Sequence, residues 1–117
     1  MRALVIMPGP MRQILNGAKS WEIRRGRCLI RELIGLIESG SGAVVGVAEL
    51  VDCVGPLTRK MRIRNARKMG VTVAEASERW PADQYAWVLR RRRRLAKPIP
   101  YKHPSGIVRW VPLSSAT

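Results

Sequence analysis

The stretch AVVGVAELVDCV, residues 43–54, carries the strongest strand signal in the sequence. Valine recurs along it, and β-branched side chains favour extended backbone. Gly55 and Pro56 follow directly and end the strand, because glycine permits a sharp turn and proline cannot donate to a ladder. Both faces around Glu49 are apolar, which indicates a strand that is buried on both sides.

Shorter segments before this strand give further elements. ALVIM, residues 3–7, has the apolar run of a buried strand, and Pro8-Gly9-Pro10 breaks it. A short helix follows at residues 11–16, where Asn16 and Gly17 stop it. Alternating side chains then predict a strand at residues 20–24, with Trp21 and Ile23 on one face. A second strand is predicted at residues 27–31, and a loop at residues 38–42.

The second half of the chain is predicted in the same way. Residues 58–70 are basic and weakly patterned, and indicate a loop or short helix. A short helix is predicted at residues 72–80, where Thr72 and Glu75 have the spacing of a capping box. Strands are predicted at residues 84–89 and 107–113.

These elements predict the fold class. A chain of 117 residues has the size of a single domain, here residues 1–117. Short strands close most easily into a small barrel, and the segments between them are too short for the crossover helices of a layered α/β sheet. We therefore expect a mainly β, α+β domain: a small β-barrel of five to six strands with two or three short helices.

The strongest global feature is charge. The sequence has 22 Lys and Arg against 8 Asp and Glu, a formal net charge of +14. Such an excess predicts attraction to polyanions. No apolar run is long enough to cross a membrane, and the N-terminus lacks the pattern of a signal peptide, so we expect a cytoplasmic protein without membrane contact. Two cysteines and one histidine cannot form a usual zinc site, and we expect neither metal nor cofactor.

The run Arg90 to Arg94 is the densest charge cluster in the sequence. Five arginines cannot alternate into a core, so the preceding strand is predicted to leave the barrel at about Leu89. The arginines then lie on the rim or beyond it. A solvated charge run is one interpretation; a polyanionic partner is favoured, because the like charges repel one another.

Glu49 is the most informative acidic residue, because a carboxylate among valines is costly unless it is paired. It is either a structural buried carboxylate or a site residue in a pocket, with Lys19 as its natural partner. The fragment around Lys19 does not match a nucleoside-triphosphate-binding P-loop, because Ala18 separates Gly17 from the lysine and a strand follows.

The aromatic residues and the single histidine allow two interpretations each. Trp21 and Trp87 lie on alternating apolar faces and are predicted to pack in the core. One of the other aromatic residues could stack on an unpaired base, although core packing is the default. His103, in a basic loop, is either structural or a phosphate contact or acid–base group.

The order of these segments resembles the ASCH domain family, a branch of the PUA-like fold. The stretch NGAKSWEIRRGR, residues 16–27, is similar to the family pattern G-x-K-x-x-E-x-R, and the matching positions are Gly17, Lys19, Glu22 and Arg24. ALVIM with its Pro turn, VVGVAELVDC and YAWVL resemble further family segments. The likeness covers most of the chain and is weakest at residues 58–70.

The resemblance implies a PUA-like barrel with a cleft formed partly by the G-x-K loop and the strand of Glu49. It implies binding of nucleic acid, often RNA. One family branch hydrolyses acylated cytidine through a lysine, a threonine and a glutamate, at positions that correspond to Lys19, Glu22 and Glu49 here. Glu22 replaces the threonine nucleophile, which argues against that reaction. Other members cleave RNA, which implies a role for Lys19, with Ser105 as a further candidate.

Three hypotheses follow. The leading one is a module that binds RNA or DNA, with a nucleotide or unpaired base in the cleft. The alternative is a ribonuclease or modified-nucleoside amidohydrolase with Lys19, Glu22, Glu49 and Ser105 as candidate catalytic residues. The third is a basic protein that docks on an acidic protein. The residues predicted to contact nucleic acid are Lys19, Arg24, Arg25, Arg27, Arg59, Lys60, Arg62, Arg90, Arg91, Arg92, Arg93, Arg94, Lys97, Lys102 and His103.

Overall fold

The computed structural model describes residues 1–106 and 109–113. This part of the chain contains six strands and four short helices. The strands are β1 (Arg2–Ile6), β2 (Trp21–Arg25), β3 (Glu32–Glu38), β4 (Ala43–Val54), β5 (Gln84–Pro100) and β6 (Trp110–Pro112). The helices are α1 (Pro8–Leu15), α2 (Arg59–Arg64), α3 (Ala66–Met69) and α4 (Val73–Ser77).

The six strands form one mixed sheet in the order β2-β5-β4-β3-β1-β6. Only the β1–β3 pair is parallel among the described ladders; the other four are antiparallel. The sheet curls into a half-barrel, so the predicted α+β class with a small PUA-like barrel is confirmed. None of the described helices is long and apolar enough to span a membrane.

Apolar side chains fill both faces of the curled sheet. The main core includes Leu4, Met11, Leu50 and Trp87, which are 2% exposed or less. On the opposite face of β2, a second cluster joins the sheet to the segment of α2 and α3, and its buried members are Trp21, Leu57, Met69 and Ala86. The core positions predicted for Trp21 and Trp87 are therefore confirmed.

Several local predictions are confirmed. β4 spans the predicted residues, and a cis peptide bond between Gly55 and Pro56 follows it. The predicted capping box begins α4, since Thr72 Oγ1 accepts a hydrogen bond from the Glu75 N–H and the Glu75 carboxylate accepts one from the Thr72 N–H. The helix ends at Ser77 rather than at residue 80.

Three boundaries differ from the predictions. Pro8 begins α1 rather than preceding it, because proline fits the first helical turn, where no intrahelical donor is needed. Residues 58–70 form two short helices. The predicted last strand is observed as Trp110–Pro112, and residues 107 and 108 lie outside the described part of the chain.

The strand predicted at residues 27–31 is wrong. Gly26 has a φ of +86°, which turns the chain away from β2, and the strand begins five residues later, at Glu32. Within the turn, Arg31 Nη1 donates to the carbonyl oxygens of Cys28 and Ile30 at 2.8 Å, so side-chain bonds replace a ladder. The continuous apolar run at residues 33–37 was the usable signal for β3.

The prediction that the chain leaves the barrel at Leu89 is also wrong. β5 continues through the arginine run to Pro100, and its pairing with β4 reaches from Ala86 to Pro100 with interruptions. Register shifts interrupt this ladder, and Arg91 has a φ of +50°. Such bulges break the strict alternation of faces. Four of the five arginines are therefore exposed without leaving the sheet, and Arg92 is half-buried.

Candidate functional site

A cleft of about 580 Å³ opens where β2 faces the end of β1, the start of α1 and the helical segment. Its charged lining consists of Lys19, Glu22 and Arg24. Its apolar lining is mainly Val5, Met7, Pro10, Met69, Val71 and Trp80. The structure thus brings together the three charged residues of the G-x-K-x-x-E-x-R pattern.

The loop between α1 and β2 directs Lys19 into this cleft. The side-chain oxygen of Asn16 accepts a hydrogen bond from the Ala18 N–H at 2.9 Å. Gly17 has a φ of +89°, a conformation that favours glycine. The Lys19 N–H then donates to the Gln13 carbonyl oxygen at 3.0 Å. The glycine of the pattern therefore allows the turn, and the lysine places its side chain in the cleft.

Lys19 is buried, with only 5% of its surface exposed. Its Nζ donates to the Met69 carbonyl oxygen at 2.8 Å and lies 3.8 Å from Glu22 Oε1. A lysine ammonium has three donors. The described contacts use one of them in a hydrogen bond, so the ammonium has donors left for a ligand.

Glu22 and Arg24 form the second half of the charged lining. The Arg24 Nε donates to Glu22 Oε2 at 2.9 Å, and Arg24 Nη2 donates to the Val5 carbonyl oxygen at 2.6 Å. The Arg24 guanidinium also lies 5.9 Å from the centre of the Trp87 ring. These contacts hold both side chains in place, so the cleft is lined by a fixed cluster of two cations and one carboxylate.

Burial lowers the pKa of the Lys19 ammonium, because the apolar surroundings disfavour its charged form. The Glu22 carboxylate opposes this effect and raises the pKa, and the Arg24 guanidinium lowers it further. The net shift is downward. A lysine with a lowered pKa has a larger neutral fraction near neutral pH than an exposed lysine.

Trp80 is the aromatic residue of the apolar lining. Its Nε1 donates to the Glu75 carbonyl oxygen at 2.9 Å, and the Arg62 guanidinium lies 5.5 Å from its ring centre. The ring is therefore held in place with its only donor satisfied.

Sequence motifs predicted the charged lining of the cleft. Nothing in the sequence predicted the apolar lining residues Met69 and Val71, because their position in the cleft depends on the long-range fold.

Glu49 does not line the cleft with Lys19, which corrects the sequence-based expectation. Its carboxylate pairs with Arg91 Nη1 at 2.5 Å, and its side chain is 34% exposed. β4 lies beside β5 and not beside β2, so the strand of Glu49 is separated from the G-x-K loop's strand by one position in the sheet. Ser105 lies in an exposed turn and does not belong to the cleft lining either.

Arg62 is a structural residue, although its position in a basic segment predicted contact with nucleic acid. It is only 6% exposed. Its guanidinium donates to the carbonyl oxygens of Ala76 at 3.1 Å, Glu78 at 3.2 Å and Leu57 at 3.5 Å. Arg59 also donates from Nε to the Ser77 carbonyl oxygen at 2.9 Å, but its side chain is exposed.

Most other cations predicted to bind nucleic acid are exposed. Arg91 is engaged with Glu49, and Arg27 lies 5.2 Å from the centre of the Tyr85 ring. His103 Nδ1 is 2.8 Å from the Tyr101 hydroxyl. The exposed members of the predicted set outside the cleft are Arg25, Arg27, Arg59, Lys60, Arg90, Arg91, Arg93, Arg94, Lys97, Lys102 and His103.

The cysteines are free thiols, with the Cys28 N–H donating to Cys53 Sγ at 3.3 Å. Within residues 1–106 and 109–113, no three or more His, Cys, Asp and Glu side chains are grouped so that they could hold a metal ion.

Solved structures provide the comparison for this architecture. The ASCH protein from Zymomonas mobilis superposes with a TM-score of 0.72 at 18% identity, covering 97% of this chain and 87% of its own. Two mutants of that protein superpose with TM-scores of 0.73 and 0.71, also at 18% identity, covering 97% of this chain and 90% and 88% of theirs. The chain has an ASCH-domain fold. No family model and no curated protein matches the sequence.

Proposed function

We propose that this ASCH-fold protein binds nucleic acid, RNA or DNA. The phosphate backbone lies on the basic surface, and a nucleotide or unpaired base enters the cleft. The observation that carries the proposal is the charge balance of the cleft. Two cations, Lys19 and Arg24, share one carboxylate, Glu22, in a recess with apolar walls. The remaining positive charge is matched by an anionic ligand.

The apolar lining supports a nucleotide as that ligand. Trp80 offers a ring whose N–H is already bonded, so the surface left for a ligand is apolar and flat. Stacking of bases on aromatic side chains is worth about 1–3 kcal/mol per base. A base that is paired in a duplex cannot reach a recess in which Lys19 is buried, so an unpaired base is favoured.

The charge of the whole chain supports a polymeric ligand. A net charge of +14 and the exposed arginines of β5 favour contact with a polyanion. Contacts to phosphates provide affinity and position without sequence information. The proposal therefore separates two roles: backbone attraction on the surface and base binding in the cleft.

A binding panel tests the proposal. Fluorescence anisotropy compares single- and double-stranded RNA and DNA at two salt concentrations. Affinity for the preferred ligand should fall steeply with salt, by about 0.7 (single strand) or 0.9 (duplex) in log affinity per phosphate contact and per decade of salt. Lys19→Met and Trp80→Leu should each weaken binding about tenfold, as expected for the loss of roughly 1.4 kcal/mol.

Arg12→Gln is the matched control, because Arg12 is exposed on α1 and does not line the cleft. It should reduce affinity only slightly. Absence of binding to every nucleic acid, or binding that ignores salt, contradicts the proposal. Pull-downs repeated after nuclease treatment are a further check. If the protein binds no nucleic acid but still retains an acidic protein after that treatment, the proposal is contradicted as well.

A hydrolase acting on RNA or on a modified nucleoside is the second candidate. The lowered pKa of Lys19 favours it, because a lysine beside Glu22 whose pKa is lowered loses its proton more readily than an exposed lysine, and the neutral amine can accept a proton from an attacking group. Turnover of single-stranded RNA and of acylated cytidine is measured with wild-type protein and Lys19→Ala. Turnover that survives this substitution rules out the mechanism.

A further inference from the structure

A second basic hollow lies behind the loop that carries Lys19. It has a volume of about 570 Å³ and is bordered by Gly17 and Ser20 of the loop, by Arg67 and Lys68 of α3, and by Arg92 of β5. We propose that this hollow, here called the α3 groove, holds the phosphates that follow the cleft-bound nucleotide of a single strand. The inference rests on the proposed function and adds a path for the strand.

The groove is positively charged and partly prearranged. Arg67 and Lys68 are exposed, and Arg92 is half-buried. Arg92 Nη1 donates to the Leu89 carbonyl oxygen at 3.1 Å, and Nη2 lies 3.4 Å from the Gly17 carbonyl oxygen. Arg92 is thus held across the end of the loop.

One carboxylate also lines the groove. Glu75 accepts the Thr72 N–H at 2.9 Å within the capping box, and this hydrogen bond lowers its pKa, so it stays charged. Three cations, Arg67, Lys68 and Arg92, therefore face one carboxylate. The groove keeps an excess positive charge, which suits phosphate groups and disfavours a cationic ligand.

The α3 groove adjoins the cleft at Val71. Val71 lines both hollows, so the strip between them is the chain that follows α3. The end of α3, just before this strip, is tied to the Lys19 loop twice: Lys19 Nζ donates to the Met69 carbonyl oxygen, and the Ser20 N–H donates to the Lys68 carbonyl oxygen at 3.0 Å. A strand that leaves the cleft over Val71 therefore enters a fixed basic surface.

The path continues into the arginine run. Gly17 and Arg92 border the α3 groove and also a third hollow that includes Arg90 and Arg91. Cleft, groove and arginine run are thus linked in series by the lining residues that they share: Val71 for the first two, Gly17 and Arg92 for the last two. Only a flexible single strand can enter the cleft with one base and follow this path with its backbone, because a duplex keeps its bases stacked inside.

A charge-matched pair of triple variants tests the inference. The groove variant is Arg67→Gln, Lys68→Gln and Arg92→Gln. The control variant is Arg12→Gln, Arg64→Gln and Arg79→Gln, which removes the same charge from exposed positions outside the cleft and the groove. The probes are a single-stranded RNA of about eight nucleotides, the DNA of the same sequence, and a mononucleotide.

The groove variant should lower the salt slope for both oligonucleotides by about 0.7 per lost contact. At 0.1 M salt this corresponds to about fivefold in affinity per contact. Its affinity for the mononucleotide should be unchanged relative to the control variant, because the mononucleotide occupies the cleft alone. Circular dichroism checks that both variants are folded, and the single variant Arg67→Gln replaces the triple variant if that one is not.

The outcomes separate the two claims. If the wild type binds the oligonucleotides and the groove and control variants lose the same slope, the groove has no special role and the inference is overturned. If the groove variant loses mononucleotide affinity as well, the groove and the cleft are one site, which also overturns it. If the wild type binds none of these probes but binds a duplex of the binding panel, the inference fails and the proposed function stands. If it binds no nucleic acid at all, both fail.

Discussion

Replacing Arg62 by methionine tests whether this arginine stabilises the fold or binds a ligand. The guanidinium is buried and makes hydrogen bonds of 3.1 and 3.2 Å to the carbonyl oxygens of Ala76 and Glu78, and a longer one to Leu57. These bonds tie α2 to the end of α4. Methionine keeps the apolar stem and the helix propensity but removes every donor.

The magnitude follows from the two shorter bonds. A hydrogen bond to a charged group contributes about 1.5 kcal/mol or more. Their loss, partly offset by the relief of a buried charge, should lower the free energy of unfolding by about 2–3 kcal/mol. This is roughly a hundredfold in the unfolding constant, and a fall in Tm of roughly 10 °C for a domain of this size.

Urea unfolding followed by tryptophan fluorescence measures the effect. Arg64→Met is the matched control, because Arg64 lies on the same helix but is exposed, and it should change the free energy of unfolding by less than about 0.5 kcal/mol. A wild-type urea midpoint for Arg62→Met together with a fall in its affinity for nucleic acid would refute the structural role of Arg62. That result places the guanidinium at the ligand.

Three further predictions concern stability. Burial lowers the pKa of Lys19 in the folded protein, so between that lowered pKa and the ordinary lysine value of 10.5 the unfolded chain binds more protons than the folded one, and the free energy of unfolding should rise with pH in this window. Lys19→Met should flatten this alkaline slope in urea titrations at several pH values. Thr72→Ala removes the capping box and should cost about 1 kcal/mol by thermal unfolding, whereas Thr72→Ser should cost little. Glu49→Gln breaks an exposed pair with Arg91 and should lower the free energy of unfolding by less than about 1 kcal/mol. If Glu49→Gln and Lys19→Ala reduced turnover equally, Glu49 would belong to the site after all.

Part of the site was visible in the sequence because it is local. The spacing of Lys19, Glu22 and Arg24 places the loop lysine and alternate residues of one strand together, which needs only the period of β2. The Asn16–Gly17 stop before the strand is equally local. The side chains that complete the cleft come from β1, α1 and the segment after α3, and their meeting depends on the sheet order.

The sequence-based prediction of a residue's role was wrong where the partner of that residue lies far away along the chain. Arg62 and Lys60 are two residues apart in the same basic segment, yet the first is buried and the second is exposed. The two residues differ because the packing of α2 against α4 brings the carbonyl groups of residues 76 and 78 to Arg62. Glu49 likewise found its partner in Arg91, through a pairing of β4 with β5 that no local pattern specified.

The amino-acid sequence by itself determined the strand at residues 43–54, the capping box of α4, the alternation of β2 and the excess of positive charge, because each depends on neighbouring residues or on composition. Only the tertiary structure decided which cations face a ligand. Some cations are buried structural contacts, some line the cleft and some form an exposed basic surface. Which role each one has depends on the order of the strands and on the bulged β4–β5 ladder, because both are set by contacts between distant segments.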